Sequence, residues 1–178
     1  MRALAALLAV LLAVAPASAG QIVNPQNNLC TIPAGGVITT AVGNVGGGED
    51  NLMTYTLPAN TLARNGDYVE VDMWMSMAAN GNTKTAEPYF GATKAGWGGD
   101  TWNNTSTRIT YKVVRTSATT QLMFAQLHKL SAGSVSTAYQ TPTETLTGAV
   151  TIKLTGQSGS SATDDIIQRL MVVWVCTP

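Results

Sequence analysis

Apolar and polar residues alternate along most of the chain beyond residue 50, with the two-residue period of β-strands and not the 3.6-residue period of helices. The clearest stretch is residues 67–77. One face of that stretch consists of Val69, Val71, Met73, Met75 and Met77, and the other of Tyr68, Glu70, Asp72, Trp74 and Ser76. We therefore predict a strand whose valine- and methionine-rich face belongs to the core.

Turn signals separate this strand from its neighbours. Asn65-Gly66 precedes it and Asn80-Gly81 follows it, and both dipeptides favour tight turns because asparagine and glycine tolerate positive φ. The alternation elsewhere predicts about eight strands in all, which are residues 37–40, 52–62, 67–79, 83–90, 107–116, 120–130, 145–155 and 166–176. Pro58 and Pro88 fall inside two of them, which favours edge positions or breaks at those points.

The last predicted strand is apolar on both faces. Leu170, Val172 and Trp174 lie on one side, and Met171, Val173 and Val175 lie on the other. Such a strand is covered twice, either by two packed layers or by a neighbouring subunit. Because no stretch longer than about 10 residues has convincing helical periodicity after residue 19, we predict an all-β fold. We expect an antiparallel β-sandwich, in the form of an eight-stranded, TNF-like jelly roll.

The first 19 residues are organised like a secretory signal. Arg2 gives a positive start, residues 3–14 are all alanine, leucine or valine, and Ala17-Ser18-Ala19 forms a cleavage site before Gly20. The alternative is an uncleaved anchor, although the apolar run is shorter than the roughly 20 residues of a membrane-spanning helix. We predict a cleaved signal helix at 1–19, an N-terminal arm with the first strand at 20–50, and the jelly-roll domain at 51–178.

Two cysteines lie near opposite ends of the mature chain, Cys30 and Cys176. In an exported protein, an even number of cysteines favours a disulfide, which here ties the first segment to the last strand. A loop of that length stabilises the fold by about 4–5 kcal/mol in the chain-entropy model. The alternative is two separate buried thiols.

The composition makes two classes of partner improbable. Ten basic and ten acidic side chains give a net charge of zero, and charged residues make up 11% of the chain, against roughly 25% in ordinary soluble domains. Binding to nucleic acid or to an anionic membrane surface through a basic patch requires clustered lysine and arginine. We therefore expect no nucleic-acid partner and, after removal of the signal, no membrane partner.

Candidate catalytic groups are sparse. His128 is the sole histidine, no Gly-x-Ser-x-Gly elbow accompanies it, and two distant cysteines make no zinc site. The acids that a glycoside hydrolase needs are offered by three pairs: Glu49-Asp50, Glu70 with Asp72, and Asp164-Asp165. Solvated strand faces and polar loops carry the same pairs. We therefore expect a non-enzymatic protein without metal or cofactor, and a hydrolase is the least favoured alternative.

One segment, residues 91–106, has the composition of a binding loop. Trp97 and Trp102 lie among glycines and amides, close to Asp100 and Asn103. Flat aromatic side chains beside amides and a carboxylate form a stacking platform for a sugar ring, or an anchor on a partner protein. Alternatively, both tryptophans fold back and plug the end of the sandwich.

The turns and strands together resemble a known group of proteins. The stretches that carry the likeness are residues 56–62, 65–71, 79–84, 89–91, 146–153 and 166–175. They are similar to β-sandwich modules of tailed-phage virion proteins, of the tail-fibre, head-fibre or spike type. The resemblance implies a homotrimeric jelly roll that attaches to a surface, with a cell-surface glycan or another structural protein as its partner.

Two hypotheses of function follow. The first is a non-enzymatic structural or attachment protein of the phage-virion type, displaying binding loops. The second is a secreted carbohydrate-binding or adhesin domain, monomeric and closed by the disulfide, which agrees better with the export signal. Both hypotheses predict a location outside the cell or on a virion.

Overall fold

A computed structural model of the chain describes residues 22–23, 29–101, 106–130 and 132–178. The predicted signal at residues 1–19 lies outside these ranges and stays a prediction. Within them the structure consists of strands, turns and loops, and no helix there has the length and apolarity needed to cross a membrane. The all-β prediction is confirmed.

Fourteen strands occur in the described ranges. They are β1 (Ile22–Val23), β2 (Leu29–Thr31), β3 (Val37–Ile38), β4 (Val42–Gly43), β5 (Asp50–Leu57), β6 (Tyr68–Met77), β7 (Thr83–Phe90), β8 (Thr93–Lys94), β9 (Asp100–Thr101), β10 (Ser106–Ser117), β11 (Thr120–Lys129), β12 (Ser134–Gln140), β13 (Val150–Ser158) and β14 (Ile166–Thr177). Eight of them have seven or more residues, and the other six have two or three.

The strands form two antiparallel sheets. The larger sheet has the order β1-β2-β14-β6-β10-β11-β12, and the short strands β3 and β4 also pair with β14. The smaller sheet has the order β5-β13-β7-β8, with β9 beside β7. The buried apolar residues of both sheets form one core cluster, which makes the fold a sandwich.

The pairing is nested along the chain. The arm strands β2, β3 and β4 pair with the last strand β14, and β5 pairs with the next-to-last strand β13. Further inside, β6 pairs with β14 in one sheet and β7 pairs with β13 in the other. A chain that folds back on itself in this way and alternates between two sheets is a jelly roll. Strands β11 and β12 extend the larger sheet beyond that framework.

The predicted core face of β6 is confirmed. Its five odd-numbered residues from 69 to 77 are at most 3% exposed, because they pack against the second sheet. The opposing side chains come from strands such as β5, β7 and β13, and include Met53, Phe90, Ile152 and Leu154. Period-two alternation therefore identified the buried face of this strand correctly.

Two predicted strands need correction, and a third strand of the structure was absent from the prediction. The strand predicted at 52–62 begins at Asp50 and ends at Leu57, because proline follows at position 58. The strand predicted at 145–155 begins only at Val150. Strand β12 was not predicted, because its apolar side chains Val135 and Tyr139 face solvent, so the strand lacks the core-facing alternation of its neighbours.

Pro88 lies inside β7, a strand with neighbours on both sides. Its carbonyl accepts a hydrogen bond from the amide of Ala95, on the side away from β13. In an antiparallel strand the nitrogen and carbonyl of one residue point to the same side. The ring nitrogen therefore faces the flank where β8 and β9 cover only the ends of β7, and no ladder bond to β13 is lost.

The disulfide between Cys30 and Cys176 is confirmed. The two cysteines lie directly opposite each other in β2 and β14, so the bond joins the arm to the last strand. Strand β14 is an interior strand, with the arm on one side and β6 on the other. Its inner face reaches the core through Met171 and Val173, whereas Leu170, Val172 and Trp174 on its outer face are only half-buried.

Candidate binding face

The face of the larger sheet that points away from the core carries the main cluster of exposed aromatic side chains in the described ranges; we call it the outer face. The registers of β14, β6, β10, β11 and β12 place its side chains in three rows. In strand order the rows are Leu170, Trp74, Arg108, His128 and Val135; then Val172, Asp72, Thr110, Gln126 and Thr137; then Trp174, Glu70, Lys112, Phe124 and Tyr139. The middle row is mainly polar, and both flanking rows contain aromatic side chains.

A bidentate ion pair lies at the centre of this face. Arg108 Nε and Nη2 donate to the two carboxylate oxygens of Asp72 at 2.8 and 2.9 Å. The guanidinium also lies over the ring of Trp74, 5.3 Å from the ring centroid. The hydrogen bond to Asp72 raises the pKa of Arg108 above its ordinary value. Because both partners occupy neighbouring strands, the pair is held in place by the sheet itself.

A second cation lies one row away. Lys112 Nζ is 4.3 Å from the centroid of the Tyr68 ring and 3.7 Å from the Glu70 carboxylate. Tyr68 is buried, while the Lys112 and Glu70 side chains are nearly half exposed. Arg108 and Lys112 thus have the same kind of surroundings, since each lies beside one carboxylate and one aromatic ring.

A cleft of about 310 Å³ opens on the face. Its apolar wall consists of Val114, Leu122, Phe124 and Tyr139, and its polar wall of Glu70, Thr110, Lys112 and Gln126. Phe124 is 47% exposed and Tyr139 is 61% exposed. Exposed rings beside hydroxyl, amide, ammonium and carboxylate groups offer an apolar surface together with hydrogen-bond donors and acceptors.

The loop residues predicted to bind lie elsewhere. Trp97 is half-buried, packs against the core, and donates from Nε1 to the carbonyl of Ala86 at 2.7 Å. The backbone of Asp100 lies in β9 and pairs with Lys84 of β7. Trp102 and Asn103 lie outside the described residues. The indole nitrogen of Trp97 is thus already engaged inside the protein, and the binding role of these four residues stays a prediction.

A buried glutamate holds the same loop. The carboxylate of Glu87 accepts hydrogen bonds from the amides of Gly96 and Gly98 at 2.8 and 3.1 Å. Burial raises the pKa of Glu87, and the two amide bonds oppose that rise only in part. Gln140, at the end of β12, donates to the carbonyl of Ala95. The loop therefore contacts both sheets.

The candidate pair Glu49-Asp50 is engaged in hydrogen bonds within the protein. Glu49 accepts hydrogen bonds from the hydroxyls of Tyr89 and Thr155 at 2.6 and 2.7 Å, and these bonds lower its pKa. Asp50 accepts from the amides of Val45 and Gly46. These contacts fix the turn before β5.

The remaining candidates are dispersed. Asp165 is buried in a hydrogen-bond network, whereas its neighbour Asp164 is exposed. Glu70 and Asp72 share the outer face, as predicted, but lie beside Lys112 and Arg108 respectively. His128 lies on the same face, between Arg108 and Val135 in the register.

No model of a protein family matches the chain, and no curated protein matches it. Among solved structures, it is similar to the CBM2 module of the evolved Dit protein of Lactobacillus casei BL23 phage J-1, with 9% identity over 70% of this chain and 69% of that chain and a TM-score of 0.41. It is also similar to arcelin-5, a lectin-like defense protein from Phaseolus vulgaris, with 8% identity, coverage of 88% and 90%, and a TM-score of 0.44. The basic winged bean lectin, in its crystal structure with Tn-antigen, gives 11% identity, coverage of 88% and 90%, and a TM-score of 0.39. All three TM-scores lie below 0.5, so the jelly-roll assignment rests on the strand order of this chain.

The sequence carries one signal of the outer face. Trp74 occupies a polar-face position of the predicted strand at 67–79, and Trp174 lies on the second apolar face of the last strand. An aromatic residue at an outward position of a strand indicates either a covering layer or a binding surface. That these rings share one face with Phe124 and Tyr139 follows only from the order of the strands in the sheet, which pairs residues far apart in the chain.

Proposed function

We propose that this chain is a non-enzymatic attachment module that binds carbohydrate through the outer face of its larger sheet. The observation that carries the proposal is the cleft in which the exposed ring of Phe124 lies beside the hydrogen-bonding groups of Thr110, Lys112 and Gln126. This site replaces the loop at 91–106 as the preferred contact surface.

The chemistry of the cleft fits a sugar ring. A pyranose has an apolar face of C–H groups, which stacks on a flat aromatic side chain, and a rim of hydroxyls that both donate and accept hydrogen bonds. The polar wall supplies donors from Lys112 and Gln126 and acceptors from Glu70 and Thr110. A volume of about 310 Å³ is near the lower limit of small-molecule sites, roughly 300 Å³. The cleft therefore suits a short glycan segment.

The charge balance of the face favours an uncharged glycan. Arg108 is paired with Asp72, and Lys112 lies 3.7 Å from Glu70. In the cleft, the Lys112 ammonium attracts an anionic sugar, but the neighbouring Glu70 carboxylate repels it. The negative charge of the sugar therefore adds little to its affinity. Neutral sugars, which need only directional hydrogen bonds, suit this arrangement better.

The disulfide supports a location in an oxidising environment, outside the cell or on a virion, because such bonds persist where thiols are not kept reduced. There a rigid sandwich presents a fixed sheet face to a glycan-bearing surface. The resemblance of the turns to phage attachment modules supports the same role of display and contact.

The test is a glycan array followed by titration calorimetry with the best glycan, using the wild type, Phe124→Ala and Phe124→Tyr. Phe124→Ala removes the stacking surface, and we expect a loss of affinity of roughly 5- to 150-fold, since stacking contacts contribute on the order of 1–3 kcal/mol. Phe124→Tyr keeps the ring and serves as the matched control, with affinity within a few fold of the wild type. A wild type that binds no glycan overturns the proposal, and unchanged affinity in Phe124→Ala excludes the cleft as the site.

A further inference from the structure

Strand β12 forms an edge of the larger sheet. Among the strands that the structure describes, it pairs only with β11. The amide of Gln121 donates to the carbonyl of Pro142, and the amide of Leu130 donates to the carbonyl of Ser106. In β11, therefore, the odd-numbered residues bond toward β12 and the even-numbered residues bond toward β10.

The register then fixes which groups of β12 face outward. Ser134, Ser136, Ala138 and Gln140 lie opposite odd-numbered residues of β11. The backbone N–H and C=O groups of Val135, Thr137 and Tyr139 consequently point away from β11, toward the open edge. The side chains of these three residues belong to the outer face, where Val135 is 52% exposed and Tyr139 is 61% exposed.

The edge lacks the features that normally prevent strand addition. Residues 134–140 read Ser-Val-Ser-Thr-Ala-Tyr-Gln, with no charged residue and no proline. Protected edges carry lysine, proline or a bulge, whereas the ladder between β11 and β12 is regular throughout. This strand is thus able to accept a further strand along its full length.

We propose that two copies of the chain join through antiparallel pairing of β12 with β12, about a two-fold axis at Thr137. This register pairs Thr137 with its own copy and places Val135 opposite the partner's Tyr139, and Tyr139 opposite the partner's Val135. Each of the three pairs exchanges two backbone hydrogen bonds, because the residues involved are those with outward-pointing groups. The aromatic and β-branched side chains meet on the same face, a favourable cross-strand combination.

The second copy is favoured as the occupant because the edge is complementary to itself. A two-fold interface requires that residue i contacts residue j and that j contacts i, which the positions of Val135 and Tyr139 around Thr137 satisfy. Absence of charge on β12 means that no like charges meet at the axis. The pairing joins the two outer faces into one continuous sheet surface. It depends on backbone geometry and not on any ligand, so it stands or falls independently of glycan binding.

Cysteine cross-linking tests the register. Both native cysteines are in the disulfide, so an introduced cysteine is the sole free thiol. In Thr137→Cys the two copies of residue 137 lie about 5.5 Å apart between Cα atoms, within disulfide range, and we expect a covalent dimer under mild oxidation. In the matched control Val135→Cys, the two thiols are displaced by roughly 14 Å along the strand, four residues at about 3.4 Å each, and we expect little cross-linking.

The oligomeric state is measured in parallel by light scattering and native mass spectrometry. We expect a dimer for the wild type and a monomer for Thr137→Lys, which places two ammonium groups at the axis. Thr56→Lys, the same substitution on the edge strand β5 of the smaller sheet, should remain a dimer. A monomeric or trimeric wild type, or equal cross-linking of Val135→Cys and Thr137→Cys, overturns the proposal.

Discussion

Asp165 shows at the level of one residue how this chain organises its loops. The side chain is 2% exposed, and its carboxylate accepts hydrogen bonds from Asn80 Nδ2 at 2.6 Å, Asn82 Nδ2 at 2.8 Å and Ser158 Oγ at 2.7 Å. Burial by itself raises the pKa of Asp165, but the three hydrogen bonds outweigh it and the pKa is lowered. Fully buried Lys84 donates to Asn80 and Asn82. The network fastens the β6–β7 turn to the loop before β14.

This network predicts a stability that depends on pH. Because the folded-state pKa of Asp165 lies below its ordinary value of 3.8, the stabilisation is present above about pH 3.8 and is lost as the pH falls through the folded-state pKa. Asp165→Asn should cost on the order of 1–3 kcal/mol at pH 7, since buried donors lose a charged acceptor. The difference from the wild type should narrow as the pH falls toward 2.5, measured by urea unfolding across that range.

The neighbouring aspartate provides the control. Asp164 is exposed and has a φ of 59°, a conformation that asparagine tolerates well. Asp164→Asn should therefore leave the unfolding free energy within about 0.5 kcal/mol of the wild type at every pH. A constant difference between Asp165→Asn and the wild type from pH 7 to pH 2.5 would contradict the assigned role of the carboxylate.

The sequence indicates the location of Asp165 in a loop but not its hydrogen-bond partners. The dipeptide Asp164-Asp165 after a run of serine and glycine indicates a polar loop, which is what the structure has. Its hydrogen-bond partners Asn80 and Asn82, however, lie 85 and 83 residues away along the chain. No local pattern contains that information, because the contact exists only once β14 has paired with β6.

At the level of elements, the loop after β8 is held by side chains from both sheets. Trp97 reaches back to Ala86, Glu87 accepts the amides of Gly96 and Gly98, and Gln140 donates to Ala95. A loop tied at so many points presents one shape. These contacts also hold the Trp97 indole against the core, although the segment around it is rich in glycine. This arrangement is the alternative to an exposed stacking platform.

Trp97→Phe separates the anchoring role of this indole from a binding role. The variant keeps an aromatic ring but loses the hydrogen bond to the Ala86 carbonyl, and we expect a destabilisation of about 1 kcal/mol. Hydrogen exchange of the amides at 95–99 should become faster, while exchange in β10 and β11 stays unchanged. A variant with wild-type exchange in the loop but weaker glycan binding would instead support the platform.

Most elements followed from alternation, and the exceptions have physical reasons. Strands β6, β7, β10, β11 and β14 match their predicted ranges to within a few residues, because each buries alternate side chains on a common core. Strand β5 ends where Pro58 begins, since proline supplies no ladder amide. Strand β12 does not follow from alternation, because its large apolar side chains Val135 and Tyr139 face solvent and only small Ala138 packs against the core.

At the scale of the whole molecule, the nested strand order determines which residues meet. The sequence predicted a sandwich and the inner face of its strands, but the alignment of Trp74, Arg108, Phe124 and Tyr139 on one surface depends on β6, β10, β11 and β12 lying side by side. Such pairing joins residues far apart in the chain, and its register follows from global packing. The sandwich fold was thus predictable from the sequence, whereas the cleft on the outer face was not, because its walls come from strands that are distant along the chain.

The disulfide acts at this same scale, because it closes a loop between residues separated by 146 positions. In the chain-entropy model, such a closure stabilises the folded state by about 5 kcal/mol, mainly by restricting the unfolded chain. The arm itself pairs with β14 through only a few residues of β2, β3 and β4. Removing the bond should therefore loosen the pairing of the arm with β14 and also lower the free energy of unfolding of the whole protein.

The variant Cys30→Ser/Cys176→Ser tests both effects. We expect the free energy of unfolding, measured with a chemical denaturant, to fall by up to about 5 kcal/mol. The wild type in reducing agent should show the same decrease, because its chain also lacks the loop closure. Hydrogen exchange should accelerate selectively in residues 29–43, whereas β6 and β10, which pair along nine positions each, keep their protection. Uniform acceleration across the sheet would show that the bond stabilises the sandwich as one cooperative unit. A loss below about 1 kcal/mol would show that the strand pairing of the arm with β14 holds the ends together without the disulfide.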